Sequence, residues 1–570
     1  MLITQKIKKY KVEIIASILL AASYFLLRLV NIMTLPIFTD EAIYVRWSQI
    51  ARFDANWRFI SLTDGKQPSF VWIAMTIMKF VNDPLLAARL VSVFAGFATM
   101  IGLYFLGREL FKNRWVGIIS SFLYLIFPMA LLYDRMALYD TLVGTFAVWS
   151  LYFAVLLVKM VRLDVALILG MLMGGGVLTK TSAFFSIPLL FATYILFDWK
   201  KKLWRKNLAK LIGLSFISIV ITLTMYSILR LSPFYHIIND KNSLFAFPFN
   251  EWLKHPFLYF FSNFRGLFDW LLAYVTPPLL LLITASFLIT DTFNKKRLAT
   301  LIKVFTPALL IILVLNFPAS VTYIKKTFDL EIQTIIPYIF LTLFLIFSLI
   351  SFIGKYKQWR EKMLLFLWFI VPFVYLIFFG KTLYPRFIFF MTLSLLPMAA
   401  QSIFELSQKV KNKAIFAALL VLLLAMPLYI DYFIVANIEV APIPKSDYEQ
   451  YINNWPAGGG IKEVISYLDG ESKKGKIYVA SAGTFGSLPT YAVEIYLGDN
   501  RNVEKRGIYP VPKEIPKDLL EIAKIMPVYV FMSNQREFEQ AVANWPMTLL
   551  AQYKKGTGEA RTKLYLVNSK

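Results

Sequence analysis

Two adjacent carboxylates follow the first long apolar stretch of the chain. Asp40 and Glu41 open a segment whose apolar residues recur at helical spacing, namely Ile43, Trp47, Ile50 and Ala51. The pattern predicts a helix that lies in the membrane interface with both acids at its N-terminus. A carboxylate there could act as a general base at the lipid surface. The structural alternative is that acidic residues favour helix starts as caps and through the helix dipole.

Two lysines stand where polar turns meet apolar segments. Lys66 lies in Asp64-Gly65-Lys66-Gln67-Pro68, and Lys180 lies in Gly176-Val177-Leu178-Thr179-Lys180-Thr181. Each could supply a cation to a lipid-linked phosphate, or it could be a snorkelling or structurally paired lysine. The second string lacks the Gly that precedes Lys in a phosphate-binding loop and lies in a membrane segment. Nucleotide binding is therefore rejected for it.

Three further outer segments carry ionisable residues. Asp140 closes the turn 133–140, Arg386 lies in the turn 381–387, and His236 and Arg265 flank an aromatic segment. For Asp140 the structural alternative is again a helix cap. If the outer loops converge, the predicted cations gather near the carboxylates Asp40, Glu41 and Asp140. Such a cluster fits transfer from a lipid phosphate, because the acid can take the acceptor's proton and the cations can stabilise the leaving group.

The elements that must position these side chains are membrane helices. Of the 570 residues, 58% are hydrophobic and 17% are charged, whereas a soluble domain carries about 25% charged residues. This composition excludes a disordered chain and argues against a soluble multidomain enzyme. Apolar runs of sufficient length predict about 13 membrane helices, near residues 12–33, 86–107, 115–132, 140–158, 164–181, 183–198, 208–229, 271–290, 300–317, 333–353, 362–380, 386–404 and 414–435.

The distribution of Lys and Arg predicts the orientation of these spans. Basic clusters occupy every second loop, near residues 6–11, 108–114, 159–162, 200–210, 295–303, 355–362 and 409–413. By the positive-inside rule this side is cytoplasmic. The chain is therefore expected to be a multi-pass protein of the cell membrane (inner or plasma membrane), with an uncleaved first span. The long aromatic loops 34–85, 230–270 and 318–332, and the C-terminus, are expected on the extracytoplasmic side.

The composition changes after the last predicted span. We expect a membrane domain over residues 1–435 and a small extracytoplasmic α/β domain over 436–570. Strands are predicted at 476–480, 493–497 and 528–532, with helices near 461–469 and 514–526.

Several classes of chemistry are excluded or disfavoured by residue counts. The chain has no Cys and two His, His236 and His255. Disulfides, a thiol nucleophile and a His-rich metal site are excluded, and a Ser-His-Asp site has little support. The net charge of +25 comes from the basic loops that set the topology, so no nucleic-acid partner is expected.

The ordered set of polar residues resembles the GT-C glycosyltransferases, most closely the protein O-mannosyltransferase and aminoarabinose-transferase-like family (glycosyltransferase family 39 and relatives). The resemblance covers about residues 1–400 and is strongest over 36–190. The matching pieces are Asp40-Glu41, Lys66-Gln67-Pro68, Arg89-Leu90, Gly107-Arg108-Glu109-Leu110-Phe111, Arg135 to Asp140, Leu178-Thr179-Lys180 and Tyr384-Pro385-Arg386-Phe387. Related aminoarabinose transferases often carry Lys-Pro-Pro where this chain has Lys66-Gln67-Pro68.

The resemblance implies a polytopic GT-C fold, a polyprenyl-phosphate-linked sugar as donor, inversion at the anomeric carbon and work on the extracytoplasmic face. It implies Asp40 as the base, with Glu41 and Asp140 as acceptor-side, structural or metal-related acids. It implies Lys66, Lys180 and Arg386 as donor-phosphate ligands, and the expected convergence of the outer loops adds Arg265 to them. No cofactor is firmly implied, but a divalent metal would have Glu41 and His236 as its candidate ligands.

The sequence therefore predicts a membrane glycosyltransferase that moves a sugar to an acceptor hydroxyl on a protein, lipid or glycan. A transporter or flippase of lipid-linked sugars is the main alternative, although no inverted repeat is evident. A non-catalytic scaffold with a C-terminal binding module is a third interpretation.

Overall fold

The computed structural model describes residues 2–200, 202–287, 358–533 and 542–568. Its helices are α1 (Leu2–Leu29), α2 (Thr39–Phe53), α3 (Ser69–Ile77), α4 (Pro84–Phe111), α5 (Arg114–Leu125), α6 (Pro128–Tyr133), α7 (Tyr139–Met160), α8 (Leu163–Val177), α9 (Ser186–Ala192), α10 (Trp204–Ser227), α11 (Ile237–Phe245), α12 (Phe249–Trp252), α13 (Phe260–Val275), α14 (Pro277–Ala285), α15 (Trp359–Phe379), α16 (Phe389–Thr392), α17 (Leu395–Lys409), α18 (Lys413–Ala436), α19 (Lys445–Tyr448), α20 (Ile461–Ser472), α21 (Leu488–Leu497) and α22 (Lys517–Ala523). The strands are β1 (Ile477–Ala482), β2 (Val503–Ile508), β3 (Val528–Ser533), β4 (Met547–Lys554) and β5 (Arg561–Val567).

Long apolar helices confirm a multi-pass membrane protein. Within the described ranges, six helices are long and apolar enough to cross a membrane: α1, α4, α7, α10, α15 and α18. Two bent pairs bring the number to eight if each pair is one span. Each of the six falls on a predicted span. The predicted spans 300–317 and 333–353, and the end of 271–290, lie outside the described residues, so the total of about 13 stays a prediction.

Several predicted spans are interrupted helices. The span predicted at 115–132 is divided into α5 and α6, and α6 begins at Pro128. The helices α13 and α14 meet at 102°, with Pro277 starting the second. Residues 385–392 and helix α17 meet at 53°. Proline accounts for these interruptions of the helices, because it has no N–H to donate and its ring clashes with the preceding helical turn. Predicted spans 164–181 and 183–198 correspond to shorter apolar helices.

The helix that carries Asp40, α2, does not lie on the surface as an interfacial helix. Most of α2 is buried, including Trp47 at 2% exposure. Its polar side is covered by the C-terminal domain: Arg46 donates to Glu494 at 2.8 Å, and Gln49 donates to the Ile495 carbonyl at 3.0 Å. The expectation of an interfacial helix was wrong, because a local pattern cannot tell lipid from a protein partner some 450 residues away.

The C-terminal domain is built on a five-stranded sheet in the order β2-β1-β3-β5-β4. Strand β1 runs parallel to both β2 and β3, and β5 and β4 add antiparallel strands. The strands predicted at 476–480 and 528–532 are confirmed as β1 and β3, and α20 and α22 fall where helices were predicted. The strand predicted at 493–497 was wrong. Those residues end α21, which is buried because it packs between the sheet and α2.

A connecting segment joins the two parts of the chain. After α18 ends at Ala436, the chain returns across the start of α2, where the Thr39 N–H donates to the Pro456 carbonyl at 3.0 Å. Phe38 and Ala457 form an isolated antiparallel bridge at the same place. The C-terminal segment is thus part of the frame that holds Asp40.

Candidate active site

A buried ion pair fixes the start of α2. Both oxygens of Glu41 accept hydrogen bonds from Arg89, at 2.9 and 2.8 Å, and both side chains are fully buried. The same carboxylate accepts the backbone N–H groups of Phe38 at 3.0 Å and Ala137 at 2.7 Å. Arg89 also donates to three carbonyls of the loop before α2, those of Ile32, Leu35 and Pro36. Glu41 therefore joins three chain segments, and its neighbour Asp40 is left facing the site.

Asp40 lies between two cations. Its carboxylate accepts a hydrogen bond from Arg386 at 3.0 Å, and Lys66 Nζ lies 3.8 Å away. Lys66 Nζ also donates to the Tyr44 hydroxyl at 2.8 Å. Burial by itself would raise the pKa of Asp40, but Lys66, Arg386 and more distant cations outweigh it and hold that pKa below the ordinary value. Asp40 is thus an ionised carboxylate at neutral pH, with its side chain 20% exposed.

Two more ion pairs adjoin Asp40. Lys180 Nζ donates to Asp140 at 2.6 Å. Asp64 lies 3.6 Å from Lys66 and accepts a hydrogen bond from Lys241 at 2.7 Å. The charges of Lys180 and Lys241 both act on Asp40. The loops predicted to converge therefore do so around Asp40.

Lys241 was not predicted from the sequence. It lies on α11, which packs against the turn 60–64. The close contact between α11 and this turn depends on Gly65. Its φ is +64°, and an added Cβ would lie 2.6 Å from the Lys241 Cβ. A lysine in a polar run far along the chain carries no local signal of this contact.

The cluster has an excess of positive charge. Within the part of the chain that the structure describes, four cations face three carboxylates, which leaves one net positive charge. The cations are Lys66, Lys180, Lys241 and Arg386, and the carboxylates are Asp40, Asp64 and Asp140. An anion is the ligand that such a site favours.

Two expected residues do not enter this cluster. Arg265 is exposed on α13, and the nearby charge that acts on it belongs to Asp269, one turn further along. His236 is exposed, with its ring nitrogen 3.0 Å from the Pro233 carbonyl. Glu41, the other candidate metal ligand, has both oxygens occupied by Arg89 and backbone amides. Among the described residues no three His, Asp or Glu side chains are grouped to hold a metal.

Asp447 is a buried acid that the sequence did not identify. It lies in α19, after the last membrane helix, and accepts hydrogen bonds from the hydroxyls of Tyr133, at 2.6 Å, and Tyr274. Its other oxygen is buried without a hydrogen-bond partner among the described residues. Burial raises the pKa of Asp447 to about 6, although the tyrosine hydrogen bonds and Arg386 oppose the shift. The C-terminal segment thus places a titratable group next to the cluster.

This acid predicts a pH dependence of stability. The pKa of Asp447 is about 6 in the folded protein and about 3.9 in an unfolded chain. The resulting stabilisation is complete below about pH 4 and is lost as the pH rises through about 6, a change of about 3 kcal/mol. Across this range, the loss of stability measured by thermal unfolding should be about 3 kcal/mol smaller in Asp447→Asn than in the wild type and the exposed control Asp499→Asn. An equal loss in Asp447→Asn would contradict the assignment.

Comparisons with known proteins identify the fold. Residues 65–226 match the family model of dolichyl-phosphate-mannose-protein mannosyltransferases. No curated protein matches the sequence significantly. Among solved structures, ArnT from Cupriavidus metallidurans in the apo state matches with a TM-score of 0.50 and 12% identity over 99% of both chains. The archaeal oligosaccharyltransferase AglB from Archaeoglobus fulgidus, in complex with an inhibitory peptide and a dolichol-phosphate, matches with a TM-score of 0.50 and 14% identity over 95% of this chain and 73% of its own.

These matches confirm the resemblance to the GT-C glycosyltransferases. The chain has the GT-C fold, with a membrane domain of apolar helices and a small C-terminal α/β domain. Lys66, Asp140 and Lys180 fall inside the matched family region, whereas Asp40 and Arg386 lie outside it.

Proposed function

We propose that this protein is a glycosyltransferase that moves a sugar from a polyprenyl-phosphate donor to an acceptor hydroxyl outside the cytoplasm. The observation that carries the proposal is the ionised Asp40 in contact with Lys66 and Arg386. The fold supports it, since AglB shares the fold and was solved with a dolichol-phosphate. We assign residues 1–435 to the membrane-embedded catalytic domain and 436–570 to an extracytoplasmic domain.

The arrangement suits a single displacement with inversion. The acceptor oxygen attacks the anomeric carbon and gives its proton to Asp40, while the bond from that carbon to the phosphate oxygen breaks. The electron pair of that bond goes to the phosphate, which Lys66, Lys180, Lys241 and Arg386 stabilise. Asp140 orients Lys180, and Asp64 orients Lys241. We assign Glu41 a positioning role through Arg89, and Arg265 no role in donor binding.

Charge balance supports this division of roles. A sugar linked through a phosphodiester carries one negative charge, which matches the one positive charge of the cluster. After transfer the lipid phosphate carries up to two negative charges. Asp40 has then become neutral, so the cluster carries two positive charges. The proton that Asp40 accepts therefore creates the positive charge that the leaving phosphate needs.

The reaction is tested with labelled polyprenyl-phosphate sugars and a panel of protein, lipid and glycan acceptors. The purified protein, in lipid nanodiscs, is expected to form a covalent product with one donor, with the anomeric configuration inverted. The transporter alternative is tested in vesicles with the same donors. Movement of donor across the bilayer with no covalent product from any acceptor would contradict the enzyme and favour a flippase.

The lysines of the cluster are expected to set donor affinity. Each charge-assisted hydrogen bond to the phosphate contributes about 1.5–3 kcal/mol. Lys66→Met and Lys241→Met should therefore each raise the KM for donor by about 10- to 100-fold. Lys381→Met is the matched control, because this exposed outer-loop lysine contacts the ring of Phe247 and not the cluster. Equal KM values in all three variants would contradict a phosphate-binding role.

A further inference from the structure

A cavity lies at the edge of the C-terminal sheet. Its volume is about 500 Å³, which is within the range of small-ligand sites. It borders the carboxyl ends of the parallel strands β1 and β3. From β1 the chain passes through α21 to β2 on one side, and from β2 through α22 to β3 on the other. Open α/β sheets bind ligands at this kind of reversal in strand order.

Two glycines determine the conformation of the loop that follows β1 and borders the cavity. Gly483 and Gly486 have φ values of +89° and +76°, which side chains of L-residues rarely adopt. At Gly483 an added Cβ would also lie 2.8 Å from the Ser487 Cβ. The loop therefore turns tightly and presents its side chains along one wall of the cavity.

The side chains that line the cavity combine aromatic rings with hydroxyl groups. Trp455, Phe485 and Tyr509 are 42%, 58% and 70% exposed. The hydroxyls come from Thr484, Ser487 and Ser533. Ser487 and Ser533 already donate to the carbonyls of Ala482 and Trp455, so towards a ligand these two are acceptors. Exposed aromatic rings gathered at one concave site indicate binding. A sugar ring has an apolar C–H face that stacks on such rings and a rim of hydroxyls that exchange hydrogen bonds with serine and threonine.

A buried lysine holds two walls of the cavity together. Lys555 is fully buried and donates hydrogen bonds to Ser533 Oγ at 2.6 Å and to the Trp455 carbonyl at 3.0 Å. The connecting segment and strand β3 are thereby fixed relative to each other. The lining is preorganised, which lowers the entropy cost of binding.

The cavity is linked to the proposed active site by aromatic contacts. Phe485 lies 6.3 Å from Trp47 of α2, and Trp47 lies 5.8 Å from Tyr44, ring centre to ring centre. Tyr44 accepts the hydrogen bond of Lys66. A ligand bound at Phe485 is thus two ring contacts from a residue that touches the donor-binding lysine.

We propose that this cavity binds the acceptor and that the acceptor is a glycan. The inference rests on the proposed function, because an acceptor presupposes transfer. The lining favours a carbohydrate over a charged peptide or a lipid chain, since neutral hydroxyls and separated rings line the site. An inner sugar unit would stack on Phe485 and Tyr509, on the side of α2 where Trp47 and Tyr44 connect the cavity to Lys66.

Binding is tested apart from catalysis. The full-length protein in nanodiscs is applied to an array of defined oligosaccharides, together with Asp40→Asn, Phe485→Ala and Tyr509→Ala. We expect wild type and Asp40→Asn to bind the same glycans, and both cavity variants to lose at least about tenfold in affinity. Tyr467→Ala is the control, because Tyr467 is equally exposed as Trp455 but lies on α20 outside the lining. Of the two cavity variants, Tyr509→Ala is expected to disturb folding less, since the Tyr509 ring is largely exposed.

Transfer then tests the acceptor role. With a bound glycan as acceptor, Tyr509→Ala is expected to raise the KM for acceptor about tenfold, whereas the control Tyr467→Ala should leave both KM and kcat unchanged. If the cavity variants lose glycan binding but the wild type transfers no sugar, the proposed function is contradicted. The cavity is then a glycan-binding site without an acceptor role. No glycan binding by the wild type, or transfer to a peptide or lipid that Tyr509→Ala leaves unaffected, would overturn the inference.

Discussion

Replacing Asp40 by Asn is expected to lower kcat by about 10²–10⁴-fold, the usual contribution of a general base. Asn has the same shape and can accept the hydrogen bond of Arg386, but it cannot take the acceptor's proton. The substitution also adds one positive charge to the cluster, so the KM for donor should stay the same or fall. Steady-state transfer by purified protein measures both constants, with Asp54→Asn at the far end of α2 as the control. Unchanged kcat in Asp40→Asn would contradict the role of the base.

The pH profile of the wild type follows from the same cations. Lys66 and Arg386 outweigh burial and keep the pKa of Asp40 below its ordinary value, which is about 3.9. The base is therefore ionised throughout the neutral range, and the acid-side decline of kcat/KM, which reports the free enzyme, should lie at acidic pH below the ordinary range of an aspartate. Variants that remove a neighbouring cation should move this decline to higher pH. A decline centred near neutrality would instead implicate another group.

Replacing the adjacent Glu41 by Gln is expected to affect folding instead of chemistry. The substitution leaves Arg89 fully buried without a counter-charge, and breaking a buried pair in this way costs about 3–5 kcal/mol. The NH₂ group of Gln would also face N–H donors of Arg89 or of the backbone, with which it cannot form a hydrogen bond. Thermal unfolding in detergent should show a large loss of stability, and the double variant Glu41→Gln/Arg89→Met should recover part of it.

The comparison of these two neighbours is decisive for the assignment. Asp40→Asn should lose activity with a smaller fall in unfolding temperature, because it removes a partly exposed ion pair, whereas Glu41→Gln should lose stability first. A Glu41→Gln protein with normal stability and no transfer would contradict the positioning role. It would return Glu41 to the acceptor-side role that the family resemblance implied.

The sequence could predict those parts of the site that carry a local signal. Asp40, Lys66, Asp140, Lys180 and Arg386 each stand where an apolar run meets a polar turn, and the structure brings all five together. The same pattern could not predict different roles for Asp40 and Glu41. Two adjacent acids have the same sequence context, and only the buried position of Arg89 distinguishes them. Arg265 satisfied the pattern as well, and its exposed position on α13 could not be predicted from the sequence.

Residues whose roles depend on distant packing were beyond prediction. Lys241 reaches Asp64 across 177 residues, and Asp447 reaches Tyr133 across 314. Neither residue stands at the junction of an apolar run and a polar turn, which was the pattern that predicted the other site residues. The strand wrongly predicted at 493–497 has the same cause, because a helix buried on two sides has the near-continuous apolar sequence of a buried strand.

The connecting segment after α18 has a consequence for biosynthesis. Thr39 is held by the Pro456 carbonyl, 417 residues later, and Tyr133 is held by Asp447. A nascent chain that has inserted its first helices into the bilayer still lacks the contacts that close the site. Catalytic competence should therefore arise only after the ribosome has passed the last membrane helix. Chains that end before the connecting segment should be inserted but inert, so under the proposed function an incomplete protein would not act on lipid-linked sugars.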